Sequence, residues 1–178
     1  HGGCVAEEII YGGRSAGTAG GLGIHAISVP PILNLGTEEQ KRRFVPAILS
    51  GDKIASLAIT EPGAGSDVGG ITTRAVREGD HYVVTGSKMF ITSGCRADYL
   101  VTAVRTDPDP NARRRGLSLL VIERGTPGLT VSRKLKKTGW APSDTAELSF
   151  DGCRVPAKNL LGSEGAGFFA IVQNFAAE

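Results

Sequence analysis

Cysteine, histidine and aromatic residues are all scarce in this chain of 178 residues. Its three cysteines lie far apart without a C-x-x-C pair, and its three histidines are equally scattered. Neither a disulfide framework nor a metal site is therefore expected, and three reduced thiols favour a cytoplasmic protein. Aromatic residues make up only 6% of the chain, which leaves little material for stacking on nucleic-acid bases.

Long apolar runs and a strong net charge are absent as well. The longest apolar runs, such as residues 117–122, are far shorter than the roughly 20 residues that span a membrane. The formal net charge of +2 is too small to predict a nucleic-acid partner. The hydrophobic content of 40% nevertheless suffices for a packed core. The composition thus predicts a globular protein with no membrane span and no nucleic-acid partner.

Helical patterns occupy the two ends of the chain. The clearest helix begins at Thr37, which forms a capping box with Gln40 three residues later. Pro46 lies inside that helical pattern and is expected to bend or split it. Near the other end, apolar residues from Phe168 to Phe175 recur at helical spacing. We therefore expect helices before and after the central part of the chain.

The central part, from about residue 54 to residue 156, has a β pattern. Short apolar runs follow one another between turn residues, and no helical stretch separates them. Parallel strands need a crossover connection between them, so an antiparallel barrel or sandwich is expected instead. The predicted fold class is α+β, with this β-domain flanked by helices.

The most informative stretch is the glycine-rich loop TEPGAGSD at residues 60–67, which follows an apolar strand. Gly63 and Gly65 permit positive φ angles and a close approach of the backbone to a ligand. Successive N–H groups in such a loop can bind an anion, and the hydroxyl of Ser66 suits a phosphate oxygen. A tight turn without any ligand is the alternative interpretation.

A second motif, GSKMFITSG at residues 86–94, carries Thr92 near the end of a strand. A threonine there can offer its hydroxyl and its backbone N–H to a planar heterocycle. An ordinary strand is the alternative. The following motif, at residues 134–162, is interpreted as mostly structural, and its basic residues as a solvated strand edge.

These motifs, in this order and at these separations, resemble the acyl-CoA dehydrogenase family. The matching stretches are TEEQKRRF at 37–44, TEPGAGSD at 60–67, GSKMFITSG at 86–94, DTAELSF at 144–150, VPAKNLLG at 155–162 and GAGF at 165–168. The resemblance covers nearly the whole chain. The segments GIHA at 23–26 and RKLKKTGWAPSDTAELSF at 133–150 are similar to the long-chain and isovaleryl branch of the family.

The resemblance implies a middle β-domain between two helical domains. Residues 1–53 would be the C-terminal part of the N-terminal helical domain, residues 54–162 the middle β-domain, and residues 163–178 the start of the C-terminal helical domain. The chain is then expected to be a fragment in which most of the C-terminal helical bundle is missing.

The resemblance also implies FAD as the cofactor. Carried over by position, its binding residues are Ala58, Ile59, Thr60, Gly65, Ser66, Phe90, Ile91 and Thr92. Thr60 would hydrogen-bond the flavin ring, and Thr92 would lie near its N5 atom. Ser66 would contact either the FAD pyrophosphate or the CoA part of the substrate.

The reaction of the family is the flavin-dependent α,β-dehydrogenation of an acyl-CoA thioester, here with a fatty or branched acyl group. A carboxylate removes the α-proton, and the flavin accepts the β-hydride. By position in the long-chain and isovaleryl branch, this base falls on Glu178, with a surface helix glutamate as the alternative. The resemblance further implies electron-transfer flavoprotein as the electron acceptor and a homotetramer for the intact protein.

Two alternatives of other classes stay open. The chain by itself could be a non-catalytic flavin- or acyl-CoA-binding or assembly module, because helices that complete the flavin pocket would be missing. Acyl-CoA oxidases and flavin monooxygenases of the same fold would use the same loops but treat oxygen differently.

Overall fold

The structure, a computed structural model, describes residues 2–176. The first part of the chain forms the helices α1 (Gly2–Gly13), α2 (Ala16–Leu22), α3 (Ile24–Ser28), α4 (Pro30–Leu35) and α5 (Glu38–Leu49). The strands are β1 (Ala55–Ala58), β2 (Arg74–Glu78), β3 (His81–Thr92), β4 (Tyr99–Arg105), β5 (Leu117–Glu123), β6 (Leu129–Lys134), β7 (Thr145–Pro156) and β8 (Leu160–Leu161). A further helix, α6 (Gly167–Ala176), follows them. No helix within the described residues has the length and apolarity needed to cross a membrane.

The capping box predicted for α5 is present. Thr37 Oγ1 accepts a hydrogen bond from the backbone N–H of Gln40 at 3.2 Å, and Gln40 Oε1 accepts from the N–H of Thr37 at 2.7 Å. The same glutamine reaches the β-domain, because its Nε2 donates to the carbonyls of Lys158 and Leu160, both at 2.7 Å. One residue thus starts the helix and fixes it to the sheet.

The split that the sequence suggested at Pro46 does not occur. Helix α5 continues through Pro46 to Leu49. Phe44, Val45 and Ile48 lie on both sides of the proline and are buried in the core. Burying each of these side chains contributes about 1.5–3 kcal/mol, which together exceeds the roughly 3 kcal/mol that a proline costs inside a helix.

The strands form one open sheet in the order β6-β7-β3-β2-β4-β5-β8, and β1 pairs with β4 beside this path. Most neighbouring strands are antiparallel, as expected, whereas β1–β4 and β2–β4 are parallel. Within the described residues the two end strands, β6 and β8, do not pair with each other, so the sheet does not close into a barrel.

Strands β4 and β5 are buried on both faces. Successive side chains point to opposite sides of a strand. On one side Val101 and Leu119 pack in a core that the helices share, and on the other Leu100 and Leu120 pack against β3 and β7. The rest of the sheet therefore folds over one face of β4 and β5 while the helices cover the other, which confirms a sandwich-like α+β fold.

Candidate functional site

The glycine-rich loop that follows β1 is fixed at its base by Glu61. This side chain is buried, and its Oε2 accepts a hydrogen bond from the backbone N–H of Thr72 at 2.7 Å. Its Oε1 accepts from the N–H of Thr73 at 2.9 Å. Reciprocal backbone bonds between Glu61 and Ala64, at 3.0 and 3.1 Å, close the tip of the loop. The carboxylate thus ties the two ends of the loop together.

Lys88 reaches the same loop from β3. Its buried Nζ donates to the carbonyl of Ile59 at 2.8 Å and to Glu61 Oε1 at 2.9 Å. The next backbone N–H, that of Met89, donates to the carbonyl of Thr60 at 2.8 Å. The loop motif and the strand motif, far apart in sequence, are therefore joined by side-chain and main-chain contacts.

Burial and mutual attraction act in opposite directions on this ion pair. Burial raises the pKa of the Glu61 carboxyl, but the charge of Lys88 and hydrogen bonds from Thr73 and Thr72 outweigh it and lower this pKa to about 2. Burial lowers the pKa of Lys88 to about 8, against the attraction of Glu61. Both groups are therefore charged at neutral pH.

Phe90 lies at a bulge in β3. The register of β3 against β7 shifts between Lys88 and Ile91, and Phe90 has a φ of 58°. A non-glycine residue pays about 1–2 kcal/mol for such a conformation. Phe90 is 61% exposed, although Lys88 and Ile91 on either side are buried. A strained bulge that presents an aromatic ring is the kind of feature that occurs next to ligand sites.

The turn after β3 holds Thr92 in place. The carbonyl of Thr92 accepts a hydrogen bond from Ser56 Oγ of β1 at 2.5 Å. The N–H of Ser93, which has a φ of 59°, donates to the carbonyl of Asp144 at 2.9 Å, and Asp144 Oδ2 accepts from the N–H of Cys95 at the same distance. Asp144, from the third sequence motif, thus supports the end of the strand that carries Thr92.

Ser66 lies on another side of the loop, beside a cavity of about 390 Å³. The polar wall of this cavity contains Ser66, Asp67 and Arg114, and its apolar wall comes from α6, with Phe168, Ile171, Val172 and Phe175. Gly65 and Ser66 are exposed, and a Cβ atom at Gly65 would meet nothing within 4 Å. The loop is therefore open to a ligand on this side.

The GAGF motif lets α6 begin directly against β5. Gly165 has a φ of 81°, and its N–H donates to Ser118 Oγ at 3.0 Å. A Cβ atom on Gly167 would lie only 2.8 Å from the carbonyl oxygen of Leu117 and from the Cα of Ser118. Because only glycine fits this approach, the motif sets where the apolar face of α6 lies above the Ser66 loop.

A second cavity, of about 570 Å³, adjoins the first and shares Gly69 with it. Its lining includes four arginines, namely Arg74, Arg77, Arg105 and Arg113. The Arg113 guanidinium donates to Asp67 at 2.7 Å, which joins this basic cleft to the GSD end of the loop. The two cavities form an apolar site next to a basic one.

The segments with Thr60 and Phe90 are thus brought together, whereas Gly65 and Ser66 face the cavity beside α6. Glu178, the predicted base, lies outside the described residues. Glu61 and Lys88 complete the site but carry no local signal of their pairing, since they stand 27 residues apart in sequence. Both residues belong to the two sequence motifs, but only the folded structure shows that their side chains are in contact.

Comparisons with known proteins agree with this architecture. Residues 1–52 match the family described as "Acyl-CoA dehydrogenase, N-terminal domain", and residues 56–153 match "Acyl-CoA dehydrogenase, middle domain". A crystal structure of a probable acyl CoA dehydrogenase from Mycobacterium abscessus ATCC 19977 / DSM 44196 is 53% identical, with a TM-score of 0.92, over 97% of this chain and 45% of that one.

Curated relatives point the same way. Isobutyryl-CoA dehydrogenase of Dictyostelium discoideum is 44% identical over 147 residues, which are 83% of this chain and 35% of that protein. Long-chain specific acyl-CoA dehydrogenase of Sus scrofa is 40% identical over 175 residues, 98% of this chain and 40% of that protein. The chain thus spans less than half the length of these relatives.

The fold and the site define a class of α+β proteins. In this class a sandwich-like β-domain carries a TEP loop, and a helix that begins at a glycine packs against the domain beside that loop. Within that class the chain belongs to the acyl-CoA dehydrogenase family, as its motifs predicted.

Proposed function

We propose that the protein of which this chain forms a part uses FAD to oxidise the α,β carbon–carbon bond of a fatty or branched acyl-CoA thioester. Membership of the acyl-CoA dehydrogenase family supports the reaction class. The observation that carries the proposal is the junction of the Thr60 and Phe90 segments through the bond from Met89 N–H to the Thr60 carbonyl.

The residues at this junction fit a flavin ring. Phe90 offers an exposed aromatic face, while the half-buried Thr60 and Thr92 offer hydroxyls for ring heteroatoms. Ala58 and Ile59 would line the ring and Ile91 would lie behind it, since all three are buried beside the junction. Gly65 would let the pyrophosphate approach the open side of the loop, and Ser66 would contact either this pyrophosphate or the CoA part of the substrate. When bound, the flavin supplies the hydride-accepting group, and the protein supplies its orientation.

The paired cavities fit the two ends of an acyl-CoA. Phe168 and Ile171 of α6 offer an apolar wall for the acyl chain, and Ser66 lies beside it, where its hydroxyl would contact either the CoA part or the FAD pyrophosphate. Arg74 and Arg113 in the adjoining cleft would bind phosphate oxygens, for which guanidinium groups are well suited. Apolar and charged parts of one substrate would thus meet matching surfaces.

Glu178 is proposed as the base that removes the α-proton of the bound thioester. It follows α6 in sequence, and α6 lines the cavity. A positioned general base contributes about 10²–10⁴-fold in rate. The proposal includes electron-transfer flavoprotein as the electron acceptor and a homotetramer as the assembly. It divides the chain into three domain segments, with boundaries after residues 53 and 162. It also includes a cytoplasmic location, which the three free thiols support.

Intact mass and visible absorption of the purified protein test this proposal first. We expect bound FAD, and bleaching of its absorption when an acyl-CoA is added without an electron acceptor. Glu178→Gln should keep the flavin but slow the bleaching by about 10²-fold or more. The control Glu8→Gln changes an exposed carboxylate in α1 and should bleach normally. Protein that takes up no FAD on reconstitution would overturn the proposal.

A further inference from the structure

Lys88 and Glu61 stand out among the ion pairs of residues 2–176, because in this pair alone both side chains are buried, with exposures of 0% and 3%. Removing two charges from water costs several kcal/mol for each ion, and a well-packed apolar pair is often just as stable. The stability of the fold is therefore a weak explanation for placing an ion pair here.

The contacts of the pair converge on one short segment. Lys88 Nζ donates to the backbone carbonyl of Ile59 and to the carboxylate of Glu61, so it contacts both neighbours of Thr60. The remaining acceptor sites of Glu61 bind the N–H groups of Thr72 and Thr73. Together with the bond from the Met89 N–H to the Thr60 carbonyl, the pair fixes where Thr60 lies relative to β3.

The pair also lies where β3 leaves its regular course. In a regular strand residues i and i+2 face the same side, so a buried Lys88 would place Phe90 in the interior as well. The register shift between Lys88 and Ile91 instead turns the ring of Phe90 outward. The bulge therefore begins directly after Lys88, whose ammonium group is held in the interior.

We propose that Lys88, with Glu61 as its counter-ion, is a positioning residue for the flavin ring. It holds the Ile59–Thr60 backbone at a set distance from Phe90, so that both sides of the ring site have the correct spacing before the cofactor binds. This inference rests on the flavin binding proposed above.

Two variants separate positioning from folding. Lys88→Met keeps an apolar stem but leaves Glu61 buried without its counter-ion, so it should lower the melting temperature and weaken FAD binding. The double variant Glu61→Gln/Lys88→Met removes both charges. We expect it to melt within a few degrees of wild type without flavin, while its Kd for FAD rises at least tenfold and its visible flavin spectrum changes shape.

The control is Arg154→Met, which breaks an exposed ion pair with Glu78 near the other end of β3. It should leave the Kd for FAD and the flavin spectrum unchanged. A double variant that binds FAD with the wild-type Kd and spectrum would overturn the inference, and so would one that fails to fold, since the pair would then serve the fold. If the wild-type protein binds no FAD, that result would instead overturn the proposed function itself.

Discussion

The hydroxyl of Tyr82 donates a hydrogen bond to the carboxylate of Glu164 and so joins β3 to the segment that precedes α6. The Tyr82 side chain is almost completely buried. Burial, together with the hydrogen bond to Glu164 and its negative charge, raises the pKa of Tyr82 to about 12. This contact ties the sheet to the helix whose apolar face lines the candidate substrate cavity.

Tyr82→Phe should therefore loosen the attachment of α6. Since Glu164 is exposed and can be hydrated again, we expect a loss of about 1 kcal/mol in the free energy of unfolding. Urea denaturation measures it. Tyr99→Phe is the matched control. It keeps the ring that packs edge-on against Phe44, and it leaves the Tyr82–Glu164 hydrogen bond intact. Equal losses in both variants would contradict the role given to the Tyr82–Glu164 contact.

Gly167→Ala tests the close approach of α6 to β5. The new methyl group would lie 2.8 Å from the Leu117 carbonyl oxygen and from the Ser118 backbone, so the start of the helix must move. We expect a loss of about 1–3 kcal/mol, the usual cost of overpacking. Gly12→Ala is the control, since it lies in α1 with nothing within 4 Å of the new methyl group. That substitution should be neutral or stabilise by up to about 1 kcal/mol, and thermal denaturation distinguishes the two outcomes.

The low pKa of Glu61 in its pair with Lys88 predicts that the free energy of unfolding decreases in acid. The folded protein keeps Glu61 ionised down to a pKa of about 2, whereas the unfolded chain binds a proton near the ordinary value of 4.5. The stabilising contribution is therefore complete above pH 4.5 and is lost as the pH falls from 4.5 towards 2. A shift of this size corresponds to about 3 kcal/mol for the ionisation of Glu61. The lowered pKa of Lys88 costs a similar amount at neutral pH, so removing both charges together changes the stability there only slightly.

Chemical denaturation at several pH values between 6 and 3 measures this dependence. The Glu61→Gln/Lys88→Met variant should lose less stability than wild type over that interval. Glu38→Gln, at an exposed carboxylate in α5, should follow the wild-type curve. A double variant whose stability falls as steeply as that of wild type would show that other carboxylates govern the acid transition.

Two strands with continuous apolar runs are predicted to their ends, because burial on both faces leaves an unbroken pattern. These are residues 99–105 and 117–123, which form β4 and β5. The apolar run at residues 145–150 predicts only the first half of β7, which continues to Pro156. Its second half follows the pairing with β3, in which Cys153 lies opposite Val84, and no local pattern specifies that partner.

The candidate site was likewise predictable only where a local sequence motif specifies it. The glycine loop and the strand end of Thr92 are local motifs and could be singled out residue by residue. The bulge at Phe90 and the ion pair between Glu61 and Lys88 depend on contacts between segments that only the folded sheet brings together. Strand β8 has two residues and exists only through its pairing with β5, so a periodicity argument could not find it.

Phe90 offers a test of strain at the proposed flavin site. At an ordinary strand position alanine is more stable than glycine, but the φ of 58° at Phe90 reverses this preference, since glycine adopts it without cost. We expect Phe90→Gly to be more stable than Phe90→Ala by about 1 kcal/mol. Both variants lose the ring and should bind FAD more weakly than wild type, which flavin fluorescence titration measures.

The control position is Val76 of β2, which is 52% exposed and is not among the residues with positive φ. There Val76→Gly should be less stable than Val76→Ala, so the order of the two substitutions is opposite at the two sites. If glycine is the less stable residue at both positions, Phe90 is not strained. Weaker FAD binding by both Phe90 variants, with glycine the more stable of the two, would mean that the fold sustains this strain to present the ring to the cofactor.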